Sequence, residues 1–404
     1  MTASPPQDGP GEYRVVEAAG SGGPSYLLVG PDGASVEPVA QYLLELLASD
    51  CSPATLKSYV FGLLDWYRFL ERTHVHWERA ERHHVRDYVL HLRSAPNPYR
   101  KRVRSSSPPA GSLNARTGKP YLSEGYKPST INHRLTVIRS FYAFHLRAGR
   151  GPLTNPVPVE TRMGDRRNAH HRPGHPWGAE GRSPYRQRQP TRVPRAISDE
   201  LWAEIFQALT HNRDRAIVCL LVSAGARAQE LLGMTGGDVD WGRQCVRLIT
   251  KGTRNAEWVA TSPEFFQWLA RYLTERGPVA SGDALWVSVR GPRRPLNYQA
   301  LRAVLMRVNH RLGANLVLHD FRHTCALRLA SDPRLAITDV QSHLRHRHVS
   351  STETYLIARP EEVIRRVQVH GQVAGTEATQ AGAPRWAYEP RDLDVLLGAH
   401  ETQA

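Results

Sequence analysis

Residues 316–330 read LVLHDFRHTCALRLA, and the five residues from His319 to His323 (HDFRH) decide how the rest of the chain is read. Two histidines at i and i+4 of a helix with an acid between them come close to the zinc-hydrolase pattern, which uses Glu as general base and needs a third ligand. Here the acid is Asp320, and Arg322 shares the face of His319, because residues three apart are neighbours on a helix. A guanidinium stays protonated and would sit unshielded beside a dication, so the segment fits a metal poorly. It fits an anion well. Arg322 offers a planar fork of donors matched to two non-bridging phosphate oxygens, and His319 one turn away can hydrogen-bond or exchange a proton at the same centre.

Composition points to where such an anion would come from. The chain has 404 residues, enough for two domains with their own cores, and a formal net charge of +15, which suggests a polyanionic partner. Four cysteines, Cys51, Cys219, Cys245 and Cys325, stand singly in apolar surroundings with no CxxC pair, which reads as buried reduced thiols rather than a zinc ribbon or disulfide framework. No stretch approaches the roughly 18 uninterrupted apolar residues of a membrane helix, and MTASPPQDGPGEYR lacks the basic-then-apolar order of a secretory signal. A cytoplasmic protein without membrane contact is expected. His83/His84 and His170/His171/His175 have no cysteine or carboxylate pattern around them and read as surface or nucleic-acid-facing side chains.

Periodicity divides the chain. After a 1–35 extension, helices are expected at 36–50, at 52–72 (Ser52 as N-cap, Pro53 at the first position), at 85–94 and at 128–149. In the last, Ile131, Leu135, Ile138 and Tyr142 form the apolar face, and His133, Arg134 and Arg139 the opposite one. The basic, Pro/Gly/Ser-rich stretch 95–127 reads as a long loop. Together these define an all-helical domain over 36–155. From Val157 to Arg195, nine arginines stand against three carboxylates with no apolar period, so 156–196 reads as a basic linker. From 197 to 368 a mixed α+β domain is expected. Ser198 caps its first helix, 214–225 and 227–234 are helical, and strands at 244–250 and 257–262 form a small antiparallel hairpin around KGTRNA. Helices follow at 263–276, 297–311 and 321–331. The fold class is thus mainly α, with a 369–404 tail in which RWAYEPRDLDVLLGAH is an isolated apolar segment.

Five motifs in order resemble the tyrosine recombinases, the lambda-integrase-like DNA breaking and rejoining family. SAGARAQELLGM resembles the first arginine motif and implies Arg227 in the site with Glu230 in support. ITKGTRN resembles the hairpin of the active-site lysine and implies Lys251. LHDFRHTCALRLA implies His319 and Arg322, with His323 as a buttress. DVQSHLRHRHVSSTETY implies His346 and, nine residues on, the nucleophile Tyr355. The helices of 36–155, opening on SPATLKSY, resemble the SAM-like core-binding domain. The resemblance spans about 36–368 and implies a mobile-element recombinase or integrase that forms a 3′-phosphotyrosyl intermediate, without metal or cofactor. It also implies a homo-tetramer on two DNA duplexes, with the C-terminal segment around Leu396 and Leu397 docking in trans on a neighbour.

The residue types suit that chemistry. Arg227 and Arg322 would stabilise the charge on a pentacoordinate phosphorus. Tyr355, with a reference pKa near 10, would need those cations and a nearby base such as His319. Lys251 would protonate the departing 5′-oxygen, and His346 would hydrogen-bond the phosphate. The sequence departs from the family in that Arg345 stands before His346, where Gly is usual, small Ala226 and Ala228 flank Arg227, and the 95–127 loop and 157–195 linker are long. Either the turn before His346 tolerates a side chain or Arg345 adds a phosphate contact. Two alternatives share many of these features, a DNA-binding accessory protein or regulator without strand exchange, and a type IB topoisomerase.

Overall fold

The structure is a computed structural model that describes residues 11–18, 22–97, 108–159, 183–189, 195–250, 255–346, 355 and 367–369. It divides into two compact units, Met1–Arg192 with Met306–Leu316, and Val193–Leu305 with Val317–Ala404.

The first unit is built on four described helices, α1 (Glu37–Ala48), α2 (Pro53–Arg72), α3 (Arg82–Ser94) and α4 (Pro128–Arg147). Ser52 caps α2 by accepting from the Thr55 N–H at 3.2 Å, and Pro53 occupies the first turn, where a missing N–H costs nothing. The stripe Leu56, Val60, Leu63, Leu64 and Tyr67 faces inward. Trp66 donates to the Tyr142 hydroxyl at 3.1 Å, and that hydroxyl donates to the Trp77 carbonyl at 2.9 Å, so these two aromatic side chains keep their polar tips paired. At Gly62 a Cβ would lie 3.2 Å from Val137 Cγ1, and the glycine thereby lets α2 and α4 approach closely.

Three features of this unit depart from the sequence reading. Residues 14–17 and 26–29, expected as part of an extension, form an antiparallel hairpin of β1 (Arg14–Glu17) and β2 (Tyr26–Val29), with Leu28 in the core at 1 % exposure. Arg134 does not lie on a polar face. It is buried, pairs with Asp65 of α2 and sits over the Tyr126 ring at 4.9 Å. The described part of the basic linker, 183–189, lies on α3 and α4: Asn132 and the Gln187 backbone exchange hydrogen bonds of 2.7 and 2.9 Å, and Arg82 Nε donates to the Tyr185 hydroxyl at 3.1 Å.

In the second unit α5 (Asp199–Ala208) is capped by Ser198 and followed by α6 (Asn212–Ser223), which packs on α8 (Pro263–Arg276) and α10 (Leu318–Ala330). Helix α6 is buried over most of its length, which explains its nearly continuous apolar run. Between α6 and α8 come the short helix α7 (Ala228–Leu232) and a three-stranded antiparallel sheet in the order β3 (Val239–Asp240), β4 (Cys245–Ile249), β5 (Ala256–Ala260). Strands β4 and β5 fall inside the expected hairpin, whereas β3 and the helix α11 (Ile337–Leu344) were not expected; α9 (Tyr298–Leu312) precedes α10. Among the described residues no helix is long and apolar enough to cross a membrane.

Substituting Gly62→Val should destabilise the first unit by about 1–3 kcal/mol through overpacking against Val137. A lower urea midpoint with an unchanged slope would register it.

Candidate active site

The site grows from the N-terminal half of α10, the loop before α7 and the end of α11. Thr324, fully buried, accepts from the Ile197 N–H at 2.9 Å and donates to the Asp320 carbonyl, which fixes the rotation of α10. That rotation sends Arg322 inward at 2 % exposure, where its two terminal nitrogens donate to the Gly225 and Leu344 carbonyls. Gly225 itself has φ +57°, and a Cβ there would lie 2.7 Å from Leu344. Only glycine lets the loop pass this close to the end of α11.

Arg227 leaves the loop at the start of α7 with about a third of its side chain exposed. Glu230, one turn on, is buried beneath it and accepts from Arg227 twice, through Oε1 from Nη1 at 2.6 Å and through Oε2 from the backbone N–H at 2.9 Å. A third donor is Arg345 Nη2, at 3.1 Å from Oε2. Burial alone would raise the Glu230 pKa; the Arg345 charge and the Arg227 donors outweigh it and hold the carboxyl below its ordinary range.

Tyr355 packs in a small apolar cluster with Cys325, Ala326, Val340 and Leu344. Its hydroxyl lies 2.8 Å from Nδ1 of His323. The ring nearest the phenol is therefore His323 and not His319, whose centroid lies 4.3 Å from that of His323. His346 lies parallel to the Tyr355 ring at 6.2 Å. Burial raises the phenol's pKa, while Arg322 and Arg227 pull it down, so both guanidiniums act on the same oxygen. Burial, reinforced by neighbouring cations, lowers three other groups. His319 falls to about 4, with His323 and Arg322 adding to burial; His346 falls to about 4, with Arg322 and Arg227 adding; Arg322 falls to about 10, with Arg227 and Arg345 adding. The site is a concentration of positive charge with one buried carboxylate.

Arg227, Glu230, His319, Arg322, His323, His346 and Tyr355 thus lie in one region, as the sequence motifs imply. An open cavity of about 400 Å³ runs beside it, lined by Arg227, Glu230, His319 and the half-exposed Tyr298 among others. Lys251 lies outside the described residues, as do Leu396 and Leu397. Sequence reasoning missed Tyr298 and left Arg345 undecided. The structure decides the latter: Arg345 adopts φ 54° and ψ 46°, its side chain is wholly buried, and it meets Glu230 rather than the open cavity. Among the described residues no three His, Cys, Asp or Glu side chains are grouped to hold a metal.

Comparison with known proteins agrees with this architecture. The phage integrase family matches residues 198–362, and the phage integrase N-terminal SAM-like domain matches residues 39–106. Tyrosine recombinase XerC of Staphylococcus epidermidis is 27 % identical over 314 residues, covering 75 % of this chain and 86 % of XerC. Transposase A of transposon Tn554 from Staphylococcus aureus is 24 % identical over 347 residues, covering 82 % and 90 %. In fold the chain resembles the integrase of transposon Tn1549 in complex with circular intermediate DNA (TM-score 0.54, 14 % identity, 82 % of this chain and 98 % of that one). It also resembles a lambda integrase dimer bound to a COC′ core site (TM-score 0.54, 13 % identity, 80 % and 95 %). The fold and the two matched domains are those of a DNA strand-transferring recombinase. The chain belongs to the phage integrase family of tyrosine recombinases.

Because the folded pKa values of His319 and His346 lie below the unfolded value near 6.5, the unfolded state binds more protons between those limits. Stability is fully present above pH 6.5 and falls as the pH drops toward 4. Replacing both residues by Gln should flatten the decline in thermal midpoint over that interval.

Proposed function

We propose that this chain is a site-specific DNA recombinase or integrase of a mobile element, which cuts and rejoins double-stranded DNA through a 3′-phosphotyrosyl intermediate. The observation that carries the reading is the Tyr355 phenol, held 2.8 Å from His323 under the charge of both Arg227 and Arg322. The first unit would act as the core-binding domain and the second as the catalytic domain.

In this mechanism Arg227 and Arg322 bind the non-bridging oxygens of the scissile phosphate and stabilise the charge that gathers there in the transition state. Both are anchored before DNA arrives, Arg227 by Glu230 and Arg322 by two carbonyls, so little reorganisation is needed. The Tyr355 oxygen attacks phosphorus, its proton passes to His323 Nδ1, and the bond to the 5′-oxygen breaks. Lys251 supplies the proton which that oxygen gains. His319 and His346, neutral near pH 7, hydrogen-bond the phosphate. A phosphate placed beside them favours their charged forms and so opposes the burial that lowers them. Attack of a 5′-hydroxyl on the phosphotyrosine reverses the steps and rejoins the strand, since the ester conserves the phosphodiester. By family resemblance four copies act on two duplexes, with the C-terminal segment docked on a neighbouring copy.

A nicked suicide duplex carrying the element's own ends tests the reading. A covalent protein–DNA adduct should form in EDTA and vanish in Tyr355→Phe. Arg322→Ala should slow its formation by on the order of 10²-fold or more. DNA binding without any adduct would leave the accessory-protein reading in its place; an adduct that survives Tyr355→Phe would remove Tyr355 as nucleophile.

A further inference from the structure

Arg345 combines two features that are each costly. Its backbone is left-handed, a conformation that disfavours side chains and commonly ends helices on glycine. Its guanidinium is also wholly out of solvent, where a charge needs close partners. Those partners tie two segments together. Nη1 donates to the His343 carbonyl at 2.7 Å and the Ala224 carbonyl at 3.3 Å, and Nη2 to the Gly225 carbonyl at 3.4 Å and Glu230 Oε2 at 3.1 Å. One segment, 224–227, delivers Arg227. The other, 343–346, delivers His346, and its Leu344 carbonyl holds Arg322.

We propose that Arg345 is a positioning residue for strand cleavage, whose guanidinium holds Glu230 and, through it, sets the reach of the Arg227 guanidinium toward the scissile phosphate. The proposal rests on the recombinase reading above. Glu230 is the one carboxylate shared by Arg227 and Arg345. With Arg345 in place, Oε2 is divided between the Arg345 guanidinium and the Arg227 backbone N–H, and a single oxygen, Oε1, remains for the Arg227 side chain. Remove Arg345, and among the described residues Arg227 is left as the guanidinium hydrogen-bonded to the buried carboxylate. The carboxylate then draws that guanidinium down into the protein and away from the phosphate, and the 343–346 turn loses its tie to the loop. Arg345 touches neither DNA nor the reacting atoms; it acts on the rate through Arg227 and His346.

The test is single-turnover cleavage of the suicide duplex by the full-length Arg345→Gly variant, alongside the unsubstituted protein and Tyr355→Phe. Glycine relieves the backbone and removes the whole buried side chain, the guanidinium with its aliphatic stem. Cleavage should slow by about 10- to 100-fold, the scale of a misplaced transition-state donor. The dissociation constant for the same duplex should change by less than about threefold, since ground-state binding is spread over many phosphate contacts. Guanidinium ion added at millimolar concentration should restore part of the lost rate to Arg345→Gly and none to Tyr355→Phe. Arg345→Lys, which keeps the charge but not the fork, should show the same split between rate and binding, and it serves if the glycine variant does not fold. Cleavage by Arg345→Gly at the unsubstituted rate, or rate and affinity falling together without rescue, would overturn the proposal while leaving the recombinase reading intact. Failure of the unsubstituted protein to form a Tyr355-dependent adduct would overturn both.

Discussion

Three guanidiniums, two of them buried and one partly exposed, gather about one buried carboxylate, and the site is arranged around that imbalance. Coulomb repulsion between Arg227, Arg322 and Arg345 is strong where the effective dielectric is low, and burial adds a desolvation cost for each charge. The fold meets these costs locally. Glu230 serves two arginines at once, and backbone carbonyls at Ala224, Gly225, His343 and Leu344 supply further acceptors. Among the described residues, three guanidiniums gathered about one carboxylate leave a positive excess. A phosphodiester brings the missing negative charge, so the same arrangement that costs stability in the DNA-free protein stabilises the complex and, more strongly, a pentacoordinate transition state.

The geometry also separates the roles of the histidines. His319 and His323 lie one turn apart on α10, yet only His323 reaches the phenol. His319 borders the open cavity beside Arg227, where an incoming phosphate would lie. The i, i+4 spacing that resembles a metal pair thus directs one ring to the Tyr355 hydroxyl and the other to the open cavity.

Much of this was legible in the sequence because it is local. Ser52, Ser198 and the inward stripe of α2 follow from capping and periodicity, which need only a few neighbouring residues. The order of the motifs pointed to Arg227, His319, Arg322, His346 and Tyr355 together. What escaped was non-local or short. The four-residue strands β1 and β2 carry too little alternation to stand out beside a Gly-rich connection. Arg134 was assigned to a polar face because its partner, Asp65, sits on another helix. Arg345 could not be resolved between a tolerated turn residue and a phosphate contact because Glu230, its partner, is 115 residues away.

Cys325 lies in the same apolar cluster as Tyr355, and a thiolate there would rival the phenolate for phosphorus. Burial pushes its thiol up to about 12, and the Sγ–H points to the Ser223 carbonyl at 3.4 Å. The sulfur therefore stays protonated and engaged. On the recombinase reading, the fold thus keeps a softer nucleophile protonated within the cluster that holds the proposed attacking phenol.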